Sequence, residues 1–237
     1  MTSFPRLGPQ GPWLLGPEPV FPDPEATDDD GLLAVGGDLS VPRLLAAYRA
    51  GIFPWFSKGE PILWWCPPVR ACLHPAEAHV SRSLAKVLRQ GRFELRVDTA
   101  FAQVVRACAK APRPGQRGTW ITAEMQAAYT ALHHQGWAHS VEAWREGRLV
   151  GGLYGVALGG AFFGESMFSL EPDASKACFA TLAERLAMWR FSLLDCQVEN
   201  PHTTRLGAQP VPRTEFLARL REALTSPDRW GGGSVPQ

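Results

Sequence analysis

The spacing of apolar residues changes near residue 137, and this change limits the fold more than any other feature of the sequence. Between residues 80 and 132, apolar side chains recur at helical spacing in three segments, which begin at Val80, Asp98 and Thr122. That spacing is typical of amphipathic helices, and Asp98 and Thr122 are suitable N-caps. From residue 138 to residue 167 apolar and polar residues alternate, with turn signals at 146–147 and 159–160. The pattern predicts three helices followed by an antiparallel three-stranded meander.

Further elements flank this central pattern. A helix N-capped by Ser40 ends at Gly51, a second helix spans residues 174–189, and a third runs from Thr214 to Leu224. Residues 191–198 are apolar enough to form a buried strand. Helices, meander, helix, strand and helix in this order predict an α+β fold with a mixed sheet, the arrangement seen in acetyltransferase-like folds.

The charge distribution and the prolines predict two domains. Residues 1–69 carry a net charge of −4, residues 70–117 carry +7, and residues 118–237 carry −2. The helical signal stops at Pro67 and Pro68, so we predict a small N-terminal α+β domain over 1–68 and a larger C-terminal domain over 69–237. We expect a loose Pro-rich arm up to about residue 20 and a disordered Gly-rich tail after residue 230. The basic stretch predicts a local contact with a polyanion, or else a solvated helix face.

Several classes of protein are disfavoured. No signal-peptide pattern and no apolar run of membrane-spanning length is present, so we expect a cytoplasmic protein without membrane contact. The five cysteines lack metal or disulfide spacing, and His133 and His134 are adjacent and face different directions on a helix. The sequence has no phosphate-binding loop and no dinucleotide motif, and residues 169–175 contain no glycine that could hold coenzyme A. We therefore predict neither a metal nor a cofactor.

Three polar residues are candidates for chemistry. Glu165 lies among Phe162, Phe163 and Met167 in the third meander strand, where a desolvated carboxylate would need a proton or a cation. Asp195 and Gln197 are two positions apart in the predicted strand and would share one face. Glu165 is either part of a site or a residue on the exposed face of its strand. Asp195 and Gln197 either belong to a site or form an internal hydrogen-bond network.

The tryptophans are a further signal. Four of them lie outside the regular helical stripes: Trp55, Trp64, Trp65 and Trp120. Aromatic side chains near a basic face can stack on nucleobases, and they can equally hold domains together. The basic helix face of Arg82, Lys86 and Arg89 makes RNA binding a competitive interpretation.

Taken together, the motifs make the sequence resemble the bacterial leucyl/phenylalanyl-tRNA–protein transferases. The matches run in order from about residue 21 to residue 216, and so many in register are highly specific. They are GLLAVGGDLS at 31–40, AYRAGIFPWF at 47–56, LWW at 63–65, GTWI at 118–121, HSVE at 139–142, LVGGLYG at 149–155, GESMFS at 164–169, ASK at 174–176, DCQ at 195–197, and His202 with Leu206–Ala208.

The resemblance implies a monomeric two-domain enzyme whose larger domain has the acetyltransferase-like fold. It implies transfer of leucine or phenylalanine, with some methionine, from aminoacyl-tRNA to an N-terminal Arg or Lys, which generates N-degrons. Its catalytic residues would be Glu165, which holds the donor's α-ammonium, and Asp195, which acts through Gln197 to orient the attacking amine and accept its proton. The remaining implied contacts are Trp55 and Trp120 around the terminal adenosine, Leu153, Leu182 and Leu194 in the side-chain pocket, Ser175 in substrate binding, and Arg82, Lys86 and Arg89 on the acceptor arm.

Departures from the family pattern and alternative functions accompany this interpretation. The sequence has Cys66-Pro67-Pro68 where the family often has Ser-Pro-Asp, and it has Asp173 in place of an asparagine. Leu182 replaces an aromatic residue found in some relatives, which leaves the Leu/Phe preference open. The alternatives are an acyltransferase on the same fold that decorates a cell-wall precursor, and a tRNA- or RNA-binding module without this activity.

Overall fold

The computed structural model describes residues 4–8, 11–27, 29–112 and 119–232. Its strands form a four-stranded and a seven-stranded sheet, both mixed. The strands are β1 (Trp13–Leu15), β2 (Leu32–Gly36), β3 (Phe53–Pro54), β4 (Leu63–Trp65), β5 (Val69–Leu73), β6 (Glu94–Val97), β7 (Ala138–Arg145), β8 (Arg148–Leu158), β9 (Ala161–Ser169), β10 (Leu193–Asp195) and β11 (Gln209–Pro212). The helices are α1 (Val41–Arg49), α2 (Arg82–Arg89), α3 (Phe101–Lys110), α4 (Ala123–His134), α5 (Ala174–Met188), α6 (Pro201–Arg205) and α7 (Arg213–Leu224). The predicted α+β class with a mixed sheet is confirmed.

The larger sheet is built around the predicted meander. Its strand order is β11-β5-β10-β9-β8-β7-β6, and the meander of β7, β8 and β9 is confirmed with its two turns. After β9 the chain crosses over through α5 and returns as β10, which pairs with β9 in parallel. This crossover places the end of β10 beside the middle of β9, so residues of both strands can contribute to one site.

The smaller sheet, with the order β1-β2-β4-β3, corrects one expectation about the N-terminal arm. The arm is not loose over its whole length, because β1 pairs in parallel with β2 and lies at the edge of this sheet. The buried Arg43 guanidinium donates to the carbonyl oxygens of Gly16 (2.7 Å) and Pro17 (3.0 Å). A buried guanidinium needs acceptors, and the arm supplies two of them. The proposed boundary at residue 68 stays a prediction, and residues 233–237 of the predicted tail lie outside the described residues.

The helices agree with the apolar spacing, with one correction at a helix start. Thr122 N-caps α4 as predicted, and its hydroxyl accepts from the Met125 amide. Asp98 does not cap α3, whose N-cap residue is Ala100; Glu142 of β7 accepts from the amides of Thr99 and Ala100 just before the helix. Glu142 is fully buried and also accepts from the hydroxyl of Ser140 (2.7 Å). A carboxylate near a helix N-terminus is favourable there, so Glu142 is structural.

The hydrophobic core extends from the small sheet into the large one. Tyr48 of α1, Trp64 of β4, Tyr129 of α4 and Phe216 of α7 are all fully buried in the same apolar cluster. Gly51 allows this close approach because its φ is +74° and a Cβ there would lie 2.7 Å from a side-chain carbon of Leu217. Over the described part of the chain, no helix combines the length and the apolarity that crossing a membrane requires.

Candidate active site

Glu165 is aimed into the protein by a β-bulge in β9. Tyr154 of β8 pairs with Ser166 and Gly155 pairs with Gly164, so Glu165 is the extra residue between the two pairs. A bulge re-aims the side chain at the extra position. Gly155 is needed here because a Cβ would lie 2.2 Å from the carbonyl oxygen of Phe163. The exposed fraction of Glu165 is 8%, so its carboxyl group is not on an exposed strand face.

Three neutral donors surround the Glu165 carboxyl group. Tyr48 donates to Oε1 (2.7 Å), Tyr129 donates to Oε2 (2.9 Å), and Nε2 of Gln197 donates to Oε1 (2.8 Å). Burial raises the pKa of Glu165 to about 7, while the two tyrosine hydroxyls act to lower it. Burial, followed by the Glu165 charge, raises the pKa of Tyr48 and of Tyr129 well above the ordinary value, so both remain proton donors. The two hydroxyls also contact one another.

Asp195 forms a buried ion pair with Arg70 of β5. Nε of Arg70 lies 3.0 Å from Oδ1 and Nη2 lies 2.8 Å from Oδ2, so the pair is bidentate. The guanidinium also donates to the carbonyl oxygen of Gly51 (2.8 Å), and it lies over the rings of Phe53 and Phe216. Burial acts to lower the pKa of Arg70, but the Asp195 carboxylate outweighs it and raises that pKa. Arg70 therefore ties β10 to the end of α1 and to α7.

Gln197 reaches Glu165 because β10 ends earlier than predicted. The strand stops at Asp195, whose Oδ1 accepts from the Gln197 amide (2.8 Å), and Gln197 has a φ of +63°. The expectation that Asp195 and Gln197 share one strand face is therefore wrong, since the backbone turns between them. One side chain points to Arg70 and the other to Glu165.

An apolar cavity of about 240 Å³ lies on one side of Glu165. The three predicted pocket residues Leu153, Leu182 and Leu194 all line it, together with Phe162 and Phe179. Each of the three leucines is at most 3% exposed, so the wall is dry and fixed by the core. We refer to this space as the apolar cavity.

A second space of about 300 Å³, the aromatic cavity, lies on the other side of Glu165. The predicted residues Trp55 and Trp120 line it with Gln197 and Val198, and Trp55 is 44% exposed. Glu165, Cys196 and Asn200 line both spaces. The two cavities therefore meet at the buried carboxyl group, one with an apolar wall and the other with indole rings.

The structure does not bring every predicted residue to this place. Ser175 lies at the start of α5, where its amide donates to the hydroxyl of Ser169 (3.1 Å), and it lines neither cavity. Asp195 is fully buried and also lines neither cavity. The side chains of Arg82, Lys86 and Arg89 are exposed on the outer face of α2, outside both cavities, and their contact with tRNA stays a prediction.

Within the described residues, one group has metal-ligand geometry. Asp98, His133 and His139 present ligand atoms within 4.8 Å of one another, which the sequence analysis missed because it considered only His133 with His134. Those atoms are engaged, since Nδ1 of His139 lies 2.8 Å from the Asp98 carboxylate and Nδ1 of His133 lies 2.8 Å from the carbonyl oxygen of Ala138. Trp230 donates to Asp98 and stacks on His139. These contacts favour a network that holds the C-terminal segment in place.

Sequence reasoning missed three important residues of the site. Tyr48 and Tyr129 lie at helix positions whose spacing indicates only core packing, but their buried hydroxyl groups donate to Glu165. Arg70 carried the clearer signal, because it is a lone cation inside the apolar strand Val69–Leu73. A lone charge at such a position needs a buried partner.

The fold and the site together define a class of protein. A mixed α+β sheet holds an apolar cavity and an aromatic cavity that meet at one buried carboxyl group. This geometry can bring two different substrates together at one point, as a group-transfer enzyme requires.

Comparison with known proteins defines the family. Residues 72–221 match the family model described as leucyl/phenylalanyl-tRNA protein transferase, and residues 37–68 match the model for its N-terminal domain. The chain is 58% identical over 212 residues to the leucyl/phenylalanyl-tRNA–protein transferase of Myxococcus xanthus, which covers 90% of this chain and 91% of the relative. It is 60% identical over 209 residues to that of Thiobacillus denitrificans (87% and 91%) and 58% identical over 219 residues to that of Nitratidesulfovibrio vulgaris (92% and 93%). The chain belongs to the leucyl/phenylalanyl-tRNA–protein transferase family, and it is an aminoacyltransferase.

Proposed function

We propose that this chain transfers leucine or phenylalanine, and some methionine, from aminoacyl-tRNA to the N-terminal Arg or Lys of acceptor proteins. The product would carry a new N-terminal residue joined by a peptide bond and would serve as an N-degron. The observation that carries the proposal is the meeting of the two cavities at Glu165 and Gln197. Charged tRNA is a cytoplasmic substrate, so the proposed reaction takes place in the cytoplasm.

The apolar cavity fits the donor's side chain. Leu153, Leu182 and Leu194 offer only carbon atoms to it, so leucine, phenylalanine and methionine side chains are transferred out of water on binding. Discrimination among such side chains amounts to about 1–3 kcal/mol, which is why methionine is included as a weaker donor. The terminal adenosine fits between the indoles of Trp55 and Trp120, where base stacking contributes about 1–3 kcal/mol.

Glu165 is suited to hold the donor's α-ammonium. A carboxylate has about four acceptor positions, and Tyr48, Tyr129 and Gln197 occupy three of them. The fourth position, on Oε2, is left to accept from one N–H of a donor ammonium bound where the two cavities meet. Such a bond to a cation would neutralise the buried charge, which its three neutral partners do not.

The transfer itself needs a neutral amine close to an ester that is already activated. The amine lone pair attacks the carbonyl carbon and forms the C–N bond, and the C–O bond to the ribose then breaks. The proton leaves the new amide nitrogen and the ribose oxygen gains one, so no proton is consumed overall. The N-terminal amine must first lose a proton to solvent, because its ordinary pKa is near 8. Holding both substrates in line can supply up to roughly 7–11 kcal/mol.

We propose for Asp195 a different role from the one predicted from the sequence. Its carboxylate is fully buried and accepts from Arg70 and from the Gln197 amide, so it has no path to a substrate proton. We assign Asp195 as a positioning residue that fixes Gln197. Because Nε2 of Gln197 donates to Glu165, the carbonyl oxygen of the same amide is the group that can accept from the attacking amine.

A transfer assay tests the proposal. The purified chain is incubated with tRNA charged with radiolabelled leucine, phenylalanine or methionine and with peptides that begin with Arg, Lys or Ala. We expect label on the Arg and Lys peptides, without ATP, and a monomer by light scattering. Gln197→Ala should reduce transfer at least tenfold, because it removes the hydrogen bonds by which Gln197 orients Glu165 and the attacking amine. Binding of tRNA should stay within about twofold.

An RNA-binding module without transferase activity is the alternative outcome. In that case the wild-type chain binds charged tRNA but labels no peptide, and Gln197→Ala changes neither property. Label on the Ala peptide equal to that on the Arg peptide would refute the acceptor rule alone.

A further inference from the structure

A third cavity lies on the far side of His202 from the apolar cavity. It has a volume of about 600 Å³ and is bounded by the start of α2, the start of α5 and the chain from α6 to β11. Its polar lining consists of cations and hydrogen-bond donors: His79, Ser81, Lys176, His202, Thr204 and Arg205. No carboxylate among the described residues lines it, although Asp173 lies 3.0 Å from the Lys176 ammonium just outside. We refer to it as the basic cavity.

The positive charges of this cavity converge on one point. Burial lowers the pKa of His202, and the charges of Lys176 and Arg205 lower it further. Both cations therefore act on the His202 ring across the cavity. A cavity with cations of one sign and low-dielectric walls attracts anions more strongly than an open surface does.

The position of the basic cavity relates it to the tRNA. Ser81, which N-caps α2, and Leu84 of the same helix line it, so it begins at the helix whose outer face carries Arg82, Lys86 and Arg89. At its other end His202 lines both the basic cavity and the apolar cavity. The basic cavity therefore lies between α2 and the apolar cavity, within reach of a polyanion that binds α2.

We propose that the basic cavity binds a backbone phosphate of the aminoacyl-tRNA near its single-stranded 3′ end. The proposal rests on the proposed function and adds a binding site to it. Lys176 and Arg205 would pair with the phosphate oxygens, Lys176 in exchange for its present contact with Asp173, and the hydroxyl of Ser81 would donate to them. The cationic N-terminus of an acceptor protein would be repelled, so the cavity serves the donor and not the acceptor.

The test compares two donors in the double variant Lys176→Ala/Arg205→Ala. One donor is phenylalanyl-tRNA and the other is phenylalanyl-adenosine, which has the same ester and no phosphate. Both side chains are exposed, so the variant should fold normally. We expect KM for the tRNA donor to rise about 3- to 10-fold at physiological salt, with phenylalanyl-adenosine transfer unchanged within about twofold. The slope of log K against log salt for tRNA binding should become shallower by about 0.7 for each phosphate that the variant no longer neutralises.

A charge-matched control and a phosphate arm complete the experiment. Arg148→Ala/Arg221→Ala removes two exposed cations that line none of the three cavities and should change neither KM nor the salt slope. An equal fall in transfer with both donors, or no change in the slope, would overturn the inference. The inference would also be overturned if inorganic phosphate stabilised the wild type and not the double variant while both bound tRNA equally well, because the cavity would then bind phosphate but not the tRNA. If the wild type transfers from neither donor, the proposed function fails, and the inference fails with it.

Discussion

Replacing Arg70 by methionine should separate the structural and catalytic consequences of the buried ion pair. The change removes the guanidinium but leaves the Asp195 carboxylate fully buried, where it keeps only the bond from the Gln197 amide. Breaking one partner of a buried pair costs about 3–5 kcal/mol, because the remaining charge is uncompensated. This cost of about 3–5 kcal/mol already includes the loss of the Arg70 hydrogen bond to the Gly51 carbonyl oxygen. For a chain of 237 residues this corresponds to a melting temperature lower by roughly 6–20 °C.

The measurement is denaturation by heat and by urea, followed by transfer kinetics with the soluble fraction. A second variant, Arg70→Met/Asp195→Leu, replaces both charges by apolar groups and should recover most of the stability that Arg70→Met removes. It should not recover transfer, because Asp195 no longer bonds the Gln197 amide and the Gln197 backbone at φ +63° is no longer fixed. The transfer rate of Asp195→Asn, with Arg70 intact, should lie between those of the wild type and the double variant, since the asparagine side-chain oxygen can still accept from the Gln197 amide.

Two results would refute this reasoning. If Arg70→Met unfolds at the wild-type temperature, removing Arg70 does not leave a destabilising buried charge on Asp195. If Arg70→Met/Asp195→Leu is stable and fully active, Asp195 neither accepts a proton nor positions Gln197. A stable double variant with a large fall in kcat and little change in KM for tRNA supports the positioning role.

Further variants test the apolar and aromatic cavities, the bulge and the carboxyl group. Burial raises the pKa of Glu165 from 4.5 to about 7, so the folded state binds this proton more tightly than the unfolded state. The resulting stabilisation, about 3 kcal/mol in all, is present below pH 4.5 and is lost as the pH rises through 7. Urea titrations at several pH values should show this loss in the wild type and not in Glu165→Gln. Leu182→Phe should narrow the apolar cavity and lower kcat/KM for the phenylalanyl donor about tenfold more than for the leucyl donor, measured in parallel assays. Trp120→Ala should weaken the tRNA donor by about 1–3 kcal/mol in KM, whereas Trp120→Phe should retain most of the stacking; an equal rise of KM in both would argue against a base in the aromatic cavity. Gly155→Ala places a Cβ 2.2 Å from a backbone oxygen at the bulge, so its melting temperature should fall by several degrees and its donor KM should rise. Gly16→Ala, where a Cβ meets nothing within 4 Å and the backbone is not in the left-handed region, is the control.

The elements that the sequence predicted correctly are those whose pattern is local. The helices α1, α4, α5 and α7 and the meander follow from apolar spacing and turn residues that lie within a few positions of each other. The small sheet and β6 could not be predicted in this way. Their strands are two to five residues long, and each depends on a partner that is distant in the sequence, as β1 does on β2.

The candidate site was predicted unevenly for the same reason. Glu165, Gln197 and the two tryptophans stand out in the sequence itself, the family resemblance suggests their roles, and the structure brings all four to the cavities. Their geometry was not predictable, because the bulge at Glu165 depends on how β8 registers against β9. The short strand β10 likewise depends on Arg70, which is 125 positions away from Asp195. Long-range register and buried charge pairing leave no periodic trace in the sequence.

The site contains two buried carboxyl groups, Asp195 and Glu165, that share Gln197 as a neighbour. They differ in whether the protein supplies a cation as counterion. Asp195 faces a bidentate guanidinium, so its counterion is part of the protein itself. Glu165 has hydrogen-bond partners that are neutral, two phenols and an amide, so its charge lacks a counterion until a proton or a substrate cation arrives. Binding of the donor's α-ammonium and protonation of Glu165 are therefore competing ways to neutralise the same group. It follows that donor kcat/KM should rise with pH through about 7 and that saturating donor should shift this midpoint downward. A pH profile that is unchanged in Glu165→Gln would place the donor's ammonium elsewhere.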